Sequence, residues 1–260
     1  MKNSSFQPSY LYVIAVLLFL FFPVIVIIFF SFCNSPSLSF PTGGFTLKWY
    51  KEMFTDKQII NAIRNSVVVA ILVAVVSGVL GTLTSFALNK NKFKFRNTLS
   101  IFYMIPITLP GLILGVSILS FFSFVKITLS LITVAISHIV FCIPFVLLIM
   151  NSRLENMDFT VEEAALDLGA NPFKVFTKVT FPLIRPSYFG AMLIAFALSF
   201  DEFVVTFFTV GAKSTLPIII WGMMRLGISP VVNAISTIVI TISIILILIS
   251  LKVFKVKLNI

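Results

Sequence analysis

Two adjacent carboxylates, Asp201 and Glu202, sit inside the apolar run F-A-L-S-F-D-E-F-V-V-T-F-F. Counted from Ser187 at the helical rise, Asp201 lies roughly 21 Å along that run. An ionised carboxylate so placed in hydrocarbon costs about 2.5–3.5 kcal/mol on insertion scales, so it must face a partner or a wet cavity. The chemistry open to the pair is electrostatic. It can form a weak negative stopping point for a cationic solute, or it can brace the structure as an ion-pair partner. Catalytic chemistry is poorly supplied. His138 is the single histidine, so neither a Ser-His-Asp triad nor a Cys/His metal cluster can be assembled. A buried, hydrogen-bonded structural role suits it better. No G-x-x-x-x-G-K-[ST] phosphate loop occurs, so any ATP that drives this chain is hydrolysed elsewhere. The chain is expected to be no enzyme, with no catalytic residue, metal or cofactor. Cys33 and Cys142 are too few for a disulfide framework and read as small buried apolar residues.

The other informative cluster is Thr160–Pro182, T-V-E-E-A-A-L-D-L-G-A-N-P-F-K-V-F-T-K-V-T-F-P. Thr160 and Glu163 stand three apart, the spacing of a capping box. Val161, Ala164, Ala165 and Leu168 share one narrow helical face. Gly169 stands where a left-handed residue ends a helix. Asn171 and Pro172 restart a second helix as N-cap and first residue, and Pro182 is expected to stop it. The spacing predicts two short helices joined by a tight turn, with a small-faced surface suited to being gripped.

Both clusters must be positioned by membrane helices. The 260 residues are 59% hydrophobic and only 11% charged, with a mean hydropathy of +1.11, which excludes a soluble domain. Apolar blocks near the ~20 residues that cross a bilayer run about Tyr10–Ser31, Val67–Ala87, Leu99–Phe122, Ile127–Met150, Tyr188–Val210 and Val231–Leu251. The expected fold is all-α, a polytopic membrane protein with six transmembrane helices. The first block carries only Lys2 before it and no small-x-small site after it, so it reads as an uncleaved span. With the N-terminus inside, 12 of the 19 Lys and Arg fall on the cytoplasmic side. Both termini and the 152–186 loop are then cytoplasmic. The net charge of +10 reads as topology and lipid contact rather than nucleic-acid binding.

The first outer loop, 32–63, is irregular where Pro36, Pro41, Gly43 and Gly44 cluster. After Thr46, Leu47, Tyr50 and Phe54 share a face, which predicts an amphipathic helix on the outer interface. It could serve as a platform for an external protein or as a simple anchor. Pro23, Pro106, Pro110 and Pro144 predict kinked spans, and Gly111 with Gly115 forms a small-xxx-small pair for close helix approach.

The Thr160–Pro182 stretch resembles the cytoplasmic coupling loop of ABC-importer permeases, whose pattern is E-A-A, three residues, G, nine residues, I, one residue, L-P. The matching positions are Glu163, Ala164, Ala165, Gly169 and Pro182, with Val179 in place of Ile and Phe181 in place of Leu. Across nearly the whole chain, F-T-L-K-W-Y (45–50), S-H-I-V-F-C-I-P-F-V (137–146), S-F-D-E-F-V-V (199–205) and T-L-P…V-N-A (215–234) resemble the C-type permease of spermidine/putrescine importers. That family commonly carries Asp-Asp where this chain has Asp201-Glu202. The resemblance implies a type I importer fold in a single permease domain, 1–260, of a bacterial inner membrane. It implies partners too: a B-type permease, two ATPase subunits and an extracytoplasmic polyamine-binding protein. Glu163, Ala164, Ala165, Gly169 and Pro182 would couple to the ATPase, and Asp201 and Glu202 would line the path. An importer of another solute, such as phosphonate, thiamine or iron, would need no acidic path. An ion-coupled carrier working alone would show inverted repeats with paired broken helices, which are not evident.

Overall fold

A computed structural model describes residues 8–35, 43–90, 94–227 and 229–253. Among these the regular structure is helical, apart from an isolated bridge between Cys33 and Phe45. The chain divides into two compact units, Met1–Ile60 with Ile220–Ile249, and Asn61–Ile219 with Ser250–Ile260.

In the first unit, α1 (Pro8–Ser31) is the first apolar block and runs unbroken through Pro23. The chain then clasps its end. Thr46 N–H donates to the Phe32 carbonyl at 2.6 Å, and Asn34 N–H to Gly44 at 2.9 Å. The cluster from Pro36 to Pro41 lies outside the described residues. Helix α2 (Lys48–Thr55) follows, and its protein-facing side is a different one from the apolar face expected to lie on the interface. Trp49 and Met53 are buried, whereas Leu47 and Phe54 are exposed. The reason is polar as well as apolar. The Trp49 indole N–H reaches the Cys33 carbonyl at 2.7 Å, and the Tyr50 hydroxyl lies 2.7 Å from Ser31 Oγ. An indole with a hydrogen-bond partner is the better residue to bury.

The second unit begins within α3 (Lys57–Lys90), which carries the second block. The third block is bent, as its prolines lead one to expect, and far enough to divide it into two helices. It forms α4 (Arg96–Thr108) and α5 (Gly111–Phe124), bent by 105° at the break. Pro110 drives this, since it forces Leu109 before it into an extended conformation, φ −82° and ψ 135°. The fourth block is α6 (Leu131–Glu155), capped by Ser130, whose hydroxyl accepts from Ile132 N–H, and continuous through Pro144.

Then come α7 (Thr160–Asp167), α8 (Pro172–Val175) and a π-helical turn, Phe176–Thr180. Pro182 does not stop this second helix. Helix α9 (Phe181–Asp201) continues directly from the π turn. Phe181 N–H donates to the Phe176 carbonyl, five residues back. The widened turn just before Pro182 gives its ring room that a regular α turn would not, so the helix passes through. The fifth block was expected to be continuous to Val210. It breaks after Asp201, and α10 (Val204–Thr209) is a separate helix. Helices α11 (Leu216–Leu226) and α12 (Pro230–Val253) complete the chain, the latter carrying the sixth block.

Among the described residues four helices are long and apolar enough to cross a membrane, and the bent α4–α5 pair makes up to five. The sixth block, taken over Pro230–Ile245, is a shorter apolar helix. The multi-pass architecture stands, and six spans remain compatible with it.

The second unit is held by small-residue contacts and polar links, as membrane bundles are. Helix α6 packs along α9, with Val73, Val134, Cys142, Val146, Ala191 and Ala195 among the core residues. A Cβ on Gly81 would stand 2.7 Å from Val146, and one on Gly115 would stand 2.7 Å from the Phe208 ring. So α3 meets α6, and α5 meets α10, almost backbone to side chain. Gly111 is less demanding, since its Cβ would sit 3.7 Å from Val204. Near the ends of α3 and α6, Asn151 Oδ1 accepts from the Ser85 hydroxyl and, at 2.9 Å, from Asn89 Nδ2.

Candidate functional site

The helix break places the two carboxylates differently. Asp201 is the last residue of α9 and is exposed. Glu202 is half-buried with an extended backbone, φ −70° and ψ 110°. Its Oε1 accepts the Val205 N–H at 2.9 Å, at the start of α10. The pair is therefore not a run of adjacent helical positions. One acid ends a helix with an open side chain, and the other satisfies the first turn of the next.

His138 on α6 spans this break. Its ring lies 2.8 Å from Ser199 Oγ on α9 and 2.9 Å from Thr206 Oγ1 on α10. The Thr206 hydroxyl donates its proton to the Glu202 carbonyl at 2.6 Å. Thr206 Oγ1, its proton so committed, is placed to accept from His138 Nε2–H, and Ser199 can meet Nδ1 as donor or acceptor. With a ring only 1% exposed, His138 is the buried structural residue its isolation in the sequence suggested.

The hairpin occupies the other end of α9, about 28 Å from Asp201 by helical rise between Pro182 and that residue. Gly169 has φ +84°. Ala170 N–H donates to the Ala165 carbonyl at 3.1 Å and Gly169 N–H to Leu166 at 2.9 Å, the two bonds of a Schellman motif. Asn171 caps α8 through Lys174 N–H at 2.8 Å, with Pro172 following as expected. The expected capping box is absent. Phe159 occupies the N-cap position, and Thr160 turns backward, its N–H and hydroxyl donating to Asp158 Oδ1 at 3.0 and 2.7 Å. The Thr160 hydroxyl, then its N–H, holds the Asp158 carboxyl below the usual carboxylate range.

Val161, Glu163, Ala164 and Leu168 are exposed, Leu168 at 89%, while Ala165 is half-buried. Phe173 on α8 adds a second bare apolar group, 74% exposed. The hairpin thus offers solvent a small apolar face with Glu163 on the same helix. Pro182 lies exposed on the α9 side.

Glu162 went unnoticed in the sequence, where only Glu163 fits a pattern. It is 7% exposed, and its carboxylate forms the one ion pair among the described residues, with Lys90 at the end of α3. Its other oxygen accepts from the Thr180 hydroxyl at 2.6 Å. Partners 72 and 18 positions away leave no local signal to read.

A helical membrane chain with a Schellman-turned hairpin between two spans invites comparison with transport permeases. The profile of the family described as "Binding-protein-dependent transport system inner membrane component" matches residues 77–258. The chain belongs to this family. The permease is 32% identical over 228 residues to the putrescine transport system permease protein PotI of Escherichia coli K12, covering 85% of this chain and 81% of that protein. It is 34% identical over 225 residues to the spermidine/putrescine transport system permease protein PotC of the same strain, covering 86% and 85%. Among solved structures, a bacterial ABC transporter for import of the acidic polysaccharide alginate matches with TM-score 0.70 and 17% identity over 100% of both chains. The MetNI methionine ABC transporter, in inward-facing form, matches with TM-score 0.59 and 18% identity over 77% of the permease and 98% of that chain. These two speak for the fold alone, which is that of ABC-importer permeases.

Proposed function

We propose that this chain is a membrane permease of an ATP-driven importer that moves polyamines, spermidine or putrescine, by alternating access. The observation that carries the reading is its similarity, over most of both chains, to the putrescine and spermidine/putrescine permeases. The exposed Asp201 carboxylate at the break in α9 agrees with it. A polyamine presents several ammonium groups on an apolar chain, and a carboxylate in a poorly solvated passage attracts them more strongly than one in bulk water. In this reading Asp201 faces the path. Glu202 adds its charge nearby while also holding the start of α10.

The chain acts as one permease domain over 1–260, in a bacterial inner membrane with both termini cytoplasmic. It pairs with a B-type permease and two ATPase subunits and receives polyamine from an extracytoplasmic binding protein. The hairpin, through Glu163, Ala164, Ala165, Gly169 and Pro182, meets an ATPase subunit. Closure of the ATPase pair moves it, and the helices pass from outward- to inward-open. Affinity for the solute rests mainly in the separate receptor, so the path binds weakly and releases.

The test is uptake of radiolabelled spermidine and putrescine in cells lacking other polyamine uptake. The chain is expressed with its ATPase, second permease and binding protein, then omitted. Uptake that requires the chain supports the reading. Uptake unchanged by its omission overturns it.

A further inference from the structure

A glutamate is almost never fully buried unless paired, and Glu162 is only 7% exposed. Glu162 and Lys90 are paired across three segments. The Glu162 carboxylate is held by the Lys90 ammonium from the end of α3 and by the Thr180 hydroxyl, 2.6 Å away in the π turn. Lys90 itself lies over two rings, 5.6 Å from the centre of Phe86 and 5.4 Å from Phe159. The rings continue the connection. Phe86 meets Phe176 at 6.2 Å, Phe176 meets Phe181 at 6.2 Å, and Phe181 meets Tyr188 on α9 at 5.9 Å. Helix α7 is thus tied at one residue to α3 and to the root of α9, through the only π turn among the described residues. An inserted π turn marks a place where two helical registers meet.

We propose that Glu162 is the positioning residue that locks the hairpin to the helical body, so that movement of the hairpin reaches α3 and α9 together. This rests on the reading that the hairpin meets an ATPase. Glu163 and the bare Val161 and Leu168 face outward and make the docking surface, whereas Glu162 faces inward and carries the movement. A charge pair suits this task because removing Lys90 would leave Glu162 buried and uncompensated, while removing the Glu162 charge would free the exposed Lys90 from the hairpin. A pair that served folding alone would affect assembly and stability but not the ratio of transport to hydrolysis.

The experiment uses the whole complex reconstituted in liposomes with its binding protein, reading labelled spermidine uptake and ATP hydrolysis on the same sample. Glu162→Gln keeps an acceptor for Thr180 and removes the charge. Lys90→Met keeps length and ring packing and removes the other charge. Each is expected to lower spermidine moved per ATP by roughly two- to thirty-fold, the range carried by linkages of this kind. The ATPase should remain bound and active. The double variant should fall no further than either single one, and Lys90→Arg should stay near wild type. An unchanged ratio in the assembled single variants overturns the proposal. So does loss of the ATPase during purification, which would mean that the pair only shapes the docking surface. A separate control places cysteine by Val161→Cys in the otherwise unaltered chain and attempts cross-linking to the ATPase. Its failure would remove the hairpin–ATPase reading, and the proposal with it, whatever the ratio shows.

Discussion

Glu202 accepts the backbone N–H of Val205 at 2.9 Å, while Asp201, one residue earlier, ends α9 with its side chain exposed. The helix break gives the two acids different surroundings. A carboxylate at the start of α10 compensates N–H groups that have no partner within the helix, and it interacts favourably with the positive end of the helix dipole. Asp201 makes no such bond to a helix start, and in the proposed reading it is the acid that meets the passing cation.

The two should therefore respond differently to neutralisation. Asp201→Asn is expected to raise the KM for spermidine about ten-fold, or about 1.4 kcal/mol. Glu202→Gln retains an oxygen for Val205 and should change KM less. Initial uptake rates at wild-type expression decide this, and equal losses would mean that both charges face the solute.

Gly169 is required by its backbone rather than by space. Its φ is +84°, yet nothing lies within 4 Å of where a Cβ would stand. Gly169→Val should cost about 1–3 kcal/mol in strain and abolish uptake while the subunit still inserts. Gly169→Asn, which tolerates the left-handed region, should retain much of it. Uptake measured beside the amount of co-purifying ATPase separates a turn effect from a docking effect.

Gly115 presents the opposite case, being short of space. A Cβ there would press on the Phe208 ring at 2.7 Å and on the Val205 backbone at 3.3 Å. Gly115→Ala should lower stability by about 1–3 kcal/mol, read as a reduced Tm of the purified complex. Gly111→Ala meets only ordinary contact and should stay within about 0.5 kcal/mol.

The parts of the fold that were readable from the sequence are those fixed by local chemistry. Gly169 declares a left-handed residue, and Asn171 with Pro172 declares a helix start, because each depends on only a few neighbouring positions. The prolines of the third block also flag their kink, but not its size. A 105° bend depends on the extended backbone that Pro110 imposes on Leu109. The break at Asp201 carries no proline or glycine to declare it, since it is stabilised by His138, Ser199 and Thr206 from three helices. Thr160 bonds Asp158 rather than Glu163, because two acceptable local caps compete and sequence spacing cannot rank them. Pro182 fails as a stop because the π turn before it changes the register. The burial of Glu162 depends on Lys90, a residue on another helix.

Orientation is open to a direct check. Both native thiols are buried, each 0% exposed, so introduced cysteines report on their own. Asp167→Cys on the hairpin should react with a membrane-impermeant maleimide only from the cytoplasmic side. Glu52→Cys on α2 should react only from outside. The reverse pattern would place the hairpin away from any ATPase.

The central claim is that ATP, hydrolysed on a partner subunit, drives polyamine through this permease. The most direct measurement uses proteoliposomes holding the chain, its partner permease and the ATPase, with binding protein and labelled spermidine outside. The account predicts accumulation only when ATP is enclosed, and none without either the ATPase or the binding protein. Accumulation driven by a sodium or proton gradient in liposomes holding the chain alone would contradict it.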